Sequence, residues 1–253
     1  MTLLAVERIK LLTTRSPLWC TLLAVGLTVG FAALIAGVDS ESPVTIASTQ
    51  FGYNFGLVVV MVMAALAITT EYRFSTIRAT FQAIPNRSAV LLAKATVVAV
   101  VSGLIGLVTA FGSVAISKLI VSEADLAINT AFEWRAVAGV SLIYAIAAVI
   151  AVAVGTLIRH SAGAISLLLI WVMLVESLVS LIPKIGDDIQ EWMPFYVANK
   201  FLTGNPDLTN RPLEEGPPPS SAVLSPWWAL AYFAGIAVVL LLVALFTANK
   251  RDA

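Results

Sequence analysis

Six apolar runs limit what this chain can fold into. They span residues 18–37, 51–70, 88–116, 136–158, 162–182 and 226–247. A helix rises about 1.5 Å per residue, so about 20 apolar residues cross a hydrocarbon layer about 30 Å thick. Composition points the same way: 59% of residues are hydrophobic and 12% are charged, against about 45–50% and about 25% in soluble domains. The chain is therefore expected to be an all-α integral membrane protein, with residues 1–253 forming one transmembrane domain. The third run is the longest, and Gly103, Gly106 and Gly112 are soft points for a tilt or bend. The first run is of span length and no small-residue cleavage site follows it, so it reads as a retained helix and not a signal peptide.

Charge placement gives an orientation. With the N-terminus in the cytoplasm, ten of the fifteen bases lie inside: Arg8, Lys10, Arg15, Arg73, Arg78, Arg87, Lys94, Arg159, Lys250 and Arg251. Lys118, Arg135, Lys184, Lys200 and Arg211 lie outside. Basic residues concentrate on the cytoplasmic side of membrane proteins, so both termini are expected there. The loops 38–50, 117–135 and 183–225 then face outward. Residues 183–201 are too apolar for a free loop and too broken for a span, which predicts an external re-entrant or interfacial helical segment. Residues 202–225, with Pro217, Pro218 and Pro219, read as an exposed loop. Trp19, Phe51, Tyr53, Trp134, Trp227 and Trp228 lie near span ends, as an interfacial aromatic belt does.

Between the second and third runs lies an amphipathic island, residues 71–87. Phe74, Ile77, Phe81 and Ile84 share one helical face, and Glu71, Ser75, Arg78 and Gln82 share a polar face beside it. This predicts a short cytoplasmic helix over 71–84. Its stripe can be gripped by a partner, or it can lie on the membrane or under the bundle.

Catalytic chemistry has little to work with. The chain holds one cysteine, Cys20, and one histidine, His160, and no G-x-x-x-x-G-K-[ST] phosphate loop. No metal or cofactor is expected on this chain. His160, beside Arg159, reads as a residue of the cytoplasmic edge. Glu176 is the one acid inside a run, with Met173 and Ser180 on its face; it reads as a polar feature of a substrate path, a protonatable site, or a carboxylate that snorkels or hydrogen-bonds between helices. Lys94 is expected to snorkel to the cytoplasmic surface. Ala147, Ala151 and Gly155 on the fourth run, and Gly52 and Gly56 on the second, mark close helix packing within one chain or across a dimer. Asn54, between those two glycines, is a pore-side or structural polar group.

Three segments resemble the permease subunits of type 2 ABC exporters, in the small six-span class that includes bacterial drug- and antimicrobial-peptide-export permeases. They are Glu7 to Ser16 before the first span, the island with Ser75-Thr76-Ile77-Arg78 and then Pro85 and Arg87, and Met193-Pro194-Phe195 after the fifth span. The resemblance implies a cytoplasmic entry helix, a coupling helix over 71–84 and an external re-entrant helix. It implies that Phe74, Ile77 and Phe81 anchor in an ATP-binding subunit, with Arg78 and Glu71 as polar partners. It also implies two ATP-binding subunits carrying ATP and Mg, and a second permease chain, identical or homologous. The second and fifth spans would line the path, with Asn54, Met61, Met173, Glu176 and Ser180 as its candidate residues. The expected function is ATP-driven export of a small amphipathic or hydrophobic substrate (drug, peptide or lipid) across the bacterial plasma membrane. No enzymatic activity is expected in this chain, and no nucleic acid partner. Two alternatives are a proton- or ion-coupled secondary transporter using Glu176 and a non-transporting immunity or scaffold protein.

Overall fold

A computed structural model describes residues 2–38, 44–204, 217 and 220–250. Arg211, Arg251, Pro218, Pro219 and most of the expected loop 202–225 lie outside the described residues, as does the middle of the loop 38–50.

The described residues are helical, without strands, and include six helical stretches long and apolar enough to cross a membrane. A short helix, α1 (Leu3–Thr13), leads into the first span, α2 (Arg15–Gly37). The second, Ile46–Arg73, consists of α3 (Ile46–Thr49) and α4 (Tyr53–Arg73). After α5 (Thr76–Ala83) come α6 (Arg87–Ile120) and α7 (Ala131–Ile158). The fifth span, Ser161–Val179, is α8 (Ser161–Ile170), a π-helical turn (Trp171–Val175) and α9 (Glu176–Val179). Then come α10 (Gly186–Gln190), α11 (Pro194–Thr203) and α12 (Pro226–Lys250).

The bundle is organised around α7, which touches α4, α6, α8, α11 and α12. Its start is fixed by a capping box: Glu133 N–H donates to Thr130 Oγ1 at 3.2 Å, and Thr130 N–H donates to Glu133 Oε2 at 2.9 Å. Its centre is held by small residues. Ala147, Ala151 and Gly155 are all buried, and a Cβ at Gly155 would stand 2.6 Å from the Ile68 side chain on α4. Gly56 on α4 lies against the Tyr144 hydroxyl and Thr28, leaving no room for a Cβ. The small-residue ridges therefore pack α2, α4 and α7 within one chain. The same holds for Gly106: a Cβ there would meet the Ser141 backbone at 2.8 Å, so it is a contact point with α7 inside one unbroken 34-residue helix.

Two ends are distinct. At one, α1, α5, the start of α6 and the end of α12 come together, and this is called the α5 end. At the other, α11 docks over the bundle: a Cβ at Gly139 would meet the Phe201 ring at 2.7 Å, the Tyr53 hydroxyl donates to Asn199 Oδ1 at 2.7 Å, and the Arg135 guanidinium donates to the Gly204 carbonyl. Tyr53, expected in an aromatic belt, is instead buried, because its hydroxyl finds a protein partner under α11. Trp19, Phe51, Trp134, Trp227 and Trp228 are exposed.

Candidate functional site

The island does not fold as one helix from residue 71. Glu71 to Arg73 complete α4, Phe74 follows as its cap, and Ser75 adopts a left-handed conformation (φ 57°) that turns the chain before α5. Ile77 and Phe81, one turn apart, enter a cluster with Ile68, Val90, Leu91, Leu245 and Ala248. They are 1% and 8% exposed. The Arg87 guanidinium lies 5.4 Å from the Phe81 ring centroid, and Arg87 Nη1 donates to the Ala248 carbonyl at 3.1 Å. Two of the expected anchors, Ile77 and Phe81, therefore hold α5 to its own bundle. Burying one such side chain is worth about 1.5–3 kcal/mol, and the start of α6 and end of α12 are the nearest apolar surface.

What α5 exposes is the other face: Arg73 and Phe74 at the turn, then Arg78, Ala79 and Gln82. Phe74 is 67% exposed, with the Arg73 guanidinium 5.4 Å from its ring centroid. Of the three expected apolar anchors, Phe74 alone is exposed, and Arg78 is exposed as well.

Glu71, expected as a polar partner of the ATP-binding subunit, is engaged within the chain. It belongs to a four-residue ion network that joins α1, α4 and α6. Lys94 Nζ donates to Glu7 Oε2 at 2.5 Å and to Glu71 Oε1 at 2.9 Å. Lys10 Nζ donates to Glu7 Oε1 at 2.8 Å, Glu71 Oε1 at 3.3 Å and Thr80 Oγ1 at 3.3 Å. The Lys94 side chain is 4% exposed and does not snorkel, because two carboxylates meet it inside the protein. Burial alone would raise the Glu7 carboxyl, yet Lys94 and Lys10 beside it hold it below its ordinary value. Burial would lower Lys10, but hydrogen bonding and charge from Glu7 and Glu71 hold it above its ordinary value. Glu7 and Lys94 are 87 residues apart, and sequence reading missed the pair. The available signal was that Glu7 and Glu71 are two of the three acids, with Asp252, that the sequence places among the bases of this end.

Beside the network lies a cavity of about 650 Å³ between α1, α2, α4, α5 and α6. Its walls include Met63, Leu66, Ala67, Val97 and Val98, and its polar end includes Glu71, Lys10 and Lys94.

At the α11 end, Glu176 is buried and its carboxylate is fully engaged. Trp171 Nε1–H donates to Oε1 at 3.1 Å, Phe195 N–H to Oε1 at 3.0 Å and Tyr196 N–H to Oε2 at 2.7 Å. Gln190 Nε2 donates to the Glu176 carbonyl at 2.9 Å. Met193 at the start of α11 supplies no side-chain cap and Pro194 no N–H, so Glu176 serves as the cap from 19 residues upstream. Of the expected path residues, Met61 is buried in the core and Glu176 is bound to α11, so neither faces a path within this chain. The Ser180 hydroxyl donates to the Ser177 carbonyl at 3.0 Å. Asn54 and Met173 are exposed on outward faces of α4 and the π-helical turn. His160 acts locally, its Nδ1 accepting from Gly163 N–H at 3.2 Å to cap α8.

Six apolar spans, with short helices docked at both ends, define a multi-pass membrane protein. Residues 3–175, well over half the chain, match the family described as ABC-2 family transporter protein, and the chain belongs to that family. No curated protein matches it. Family membership makes the chain an ABC transporter permease, a membrane component of the kind that pairs with an ABC ATP-binding subunit.

Proposed function

We propose that the chain is the permease of an ATP-driven exporter that moves an amphipathic or hydrophobic substrate outward across the bacterial plasma membrane. Two permease chains and two ATP-binding subunits form the working unit, with ATP and Mg held by the latter. The α5 end faces the cytoplasm, a reading supported by the ten-to-five division of bases. The observation that carries the proposal is the division of labour on α5. Its inner face is fixed to the bundle by Ile77 and Phe81, and its outer face presents Phe74 and Arg78 at the tip of the α4–α6 connection. A partner pushing on that face moves α4, α6 and α12 together, because the Ile77–Phe81 cluster joins all three.

The proton-coupled alternative through Glu176 loses its support from geometry. Both carboxylate oxygens accept hydrogen bonds from Trp171 and the α11 backbone, which gives Glu176 a structural role.

Reconstitution in vesicles with the neighbouring ATP-binding subunit tests the proposal. The expected result is ATP-dependent movement of a fluorescent amphiphile that is indifferent to an imposed proton gradient. Arg78→Glu is expected to reduce stimulated ATPase activity about tenfold, the loss of one charge-assisted contact at the interface, with insertion unchanged. Transport that follows the proton gradient and needs no ATP-binding subunit would overturn the proposal.

A further inference from the structure

The cavity at the α5 end has an apolar shaft and a charged mouth. Its volume, about 650 Å³, lies within the roughly 300–1,000 Å³ of small-molecule sites. From Met63 to Glu71 is eight residues of α4, so the shaft is about 12 Å long. Met63, Ala67 and Val98 line its depth, and the charged groups and the first residues of α2, Arg15 to Pro17, line its mouth. One apolar tail fits such a shaft, with its head left at the mouth.

The charges at the mouth do not balance. The lining carries Lys10, Lys94 and Arg15 against Glu7 and Glu71. The two lysines and two glutamates pair with one another at 2.5–3.3 Å and together are neutral. Lys10 spends its three protons on Glu7, Glu71 and Thr80, so it serves as wall and not as a donor to a ligand. Arg15 is the fifth charge: it is exposed and pairs with no acid among the described residues. The first turn of α2 adds the same polarity. It holds no acid, and Thr14, which gives its hydroxyl proton to the Leu11 carbonyl, does not cap it. The positive end of α2 therefore meets the mouth beside Arg15. An ammonium head would be repelled there, a neutral head would gain no ion pair, and an anionic head gains one.

We propose that this cavity binds an anionic amphiphile, its apolar tail along Met63, Ala67 and Val98 and its carboxylate or phosphate on Arg15 at the mouth. Basic pockets between membrane helices take lipid head groups in this way. The anion can come from two sources: an anionic phospholipid of the surrounding leaflet, which inserts one acyl chain, or a free single-chain amphiphile. The site belongs to the permease alone and needs neither an ATP-binding subunit nor export.

Native mass spectrometry of the full chain in uncharged detergent, with no ATP-binding subunit present, tests the site separately from export. Dodecyl phosphate is expected to bind one per chain, about tenfold tighter than dodecanol or dodecylamine, the scale of one charge-assisted contact. Arg15→Gln is expected to remove that preference. Ala67→Phe, which fills the shaft and leaves every charge in place, is expected to weaken dodecyl phosphate by a similar factor. Arg8→Gln removes an exposed base of α1 that does not line the cavity, and is expected to change neither. Co-purification of phosphatidylglycerol in preference to phosphatidylethanolamine, lost in Ala67→Phe, identifies the lipid source; dodecyl phosphate binding without it identifies the free one. Dodecanol or dodecylamine binding as tightly as dodecyl phosphate would overturn the proposal, with no variant needed. So would dodecyl phosphate affinity unchanged in Ala67→Phe, or weakened as much by Arg8→Gln as by Arg15→Gln.

Discussion

Lys94 shows how one residue can join elements distant in sequence. It lies about two turns into α6, deep enough that its charge needs partners, and Glu7 from α1 and Glu71 from α4 supply them. An isolated lysine in an apolar run reads as a snorkelling residue, since its partners are invisible without the fold. Removing one member of a buried ion group leaves the others uncompensated, at a cost of about 3–5 kcal/mol. Lys94→Met is therefore expected to lower the melting temperature in detergent, and adding Glu7→Gln to recover part of the loss. Equal melting of wild type and Lys94→Met would mean the network contributes nothing to holding α1 on the bundle.

At the scale of elements, the short helices show what pattern can and cannot convey. The stripe of α5 was legible at Ile77 and Phe81, because a 3.6-residue period exposes an apolar face in any sequence. Which surface that face meets was not legible. The choice between a partner and the chain's own α6 and α12 depends on Val90, Leu91 and Leu245, which come near only after folding. Likewise, residues 183–201 read as a re-entrant or interfacial helical segment, and α10 and most of α11 lie there, but the cap on α11 was hidden. Glu176 looked like a path residue because the N–H groups it binds belong to Phe195 and Tyr196. Losing it leaves buried donors unpaired, about 1–3 kcal/mol. Glu176→Ala is expected to raise amide hydrogen exchange over residues 194–203 while leaving α7 protected. Exchange unchanged there would remove Glu176 from the role of cap.

For the whole molecule, the spans were legible because about 20 apolar residues have few other physical uses. The small-residue ridges were legible as packing sites, and the structure resolves their partners: Gly56 and Gly155 serve contacts between α2, α4 and α7 inside one chain. The resulting architecture has a rigid centre on α7 and, at the α5 end, a helix tied inward by its apolar face and open on its polar face. On the proposed function, the ATP-binding subunit docks on that open face. Cys20 is the sole cysteine, so single-cysteine chains are simple to make in a Cys20→Ser background. With the ATP-binding subunit present, Ala79→Cys is expected to cross-link to it through a short bifunctional reagent, and Ile77→Cys, buried in the bundle, is expected not to. Cross-linking through position 77 and none through 79 would contradict that claim.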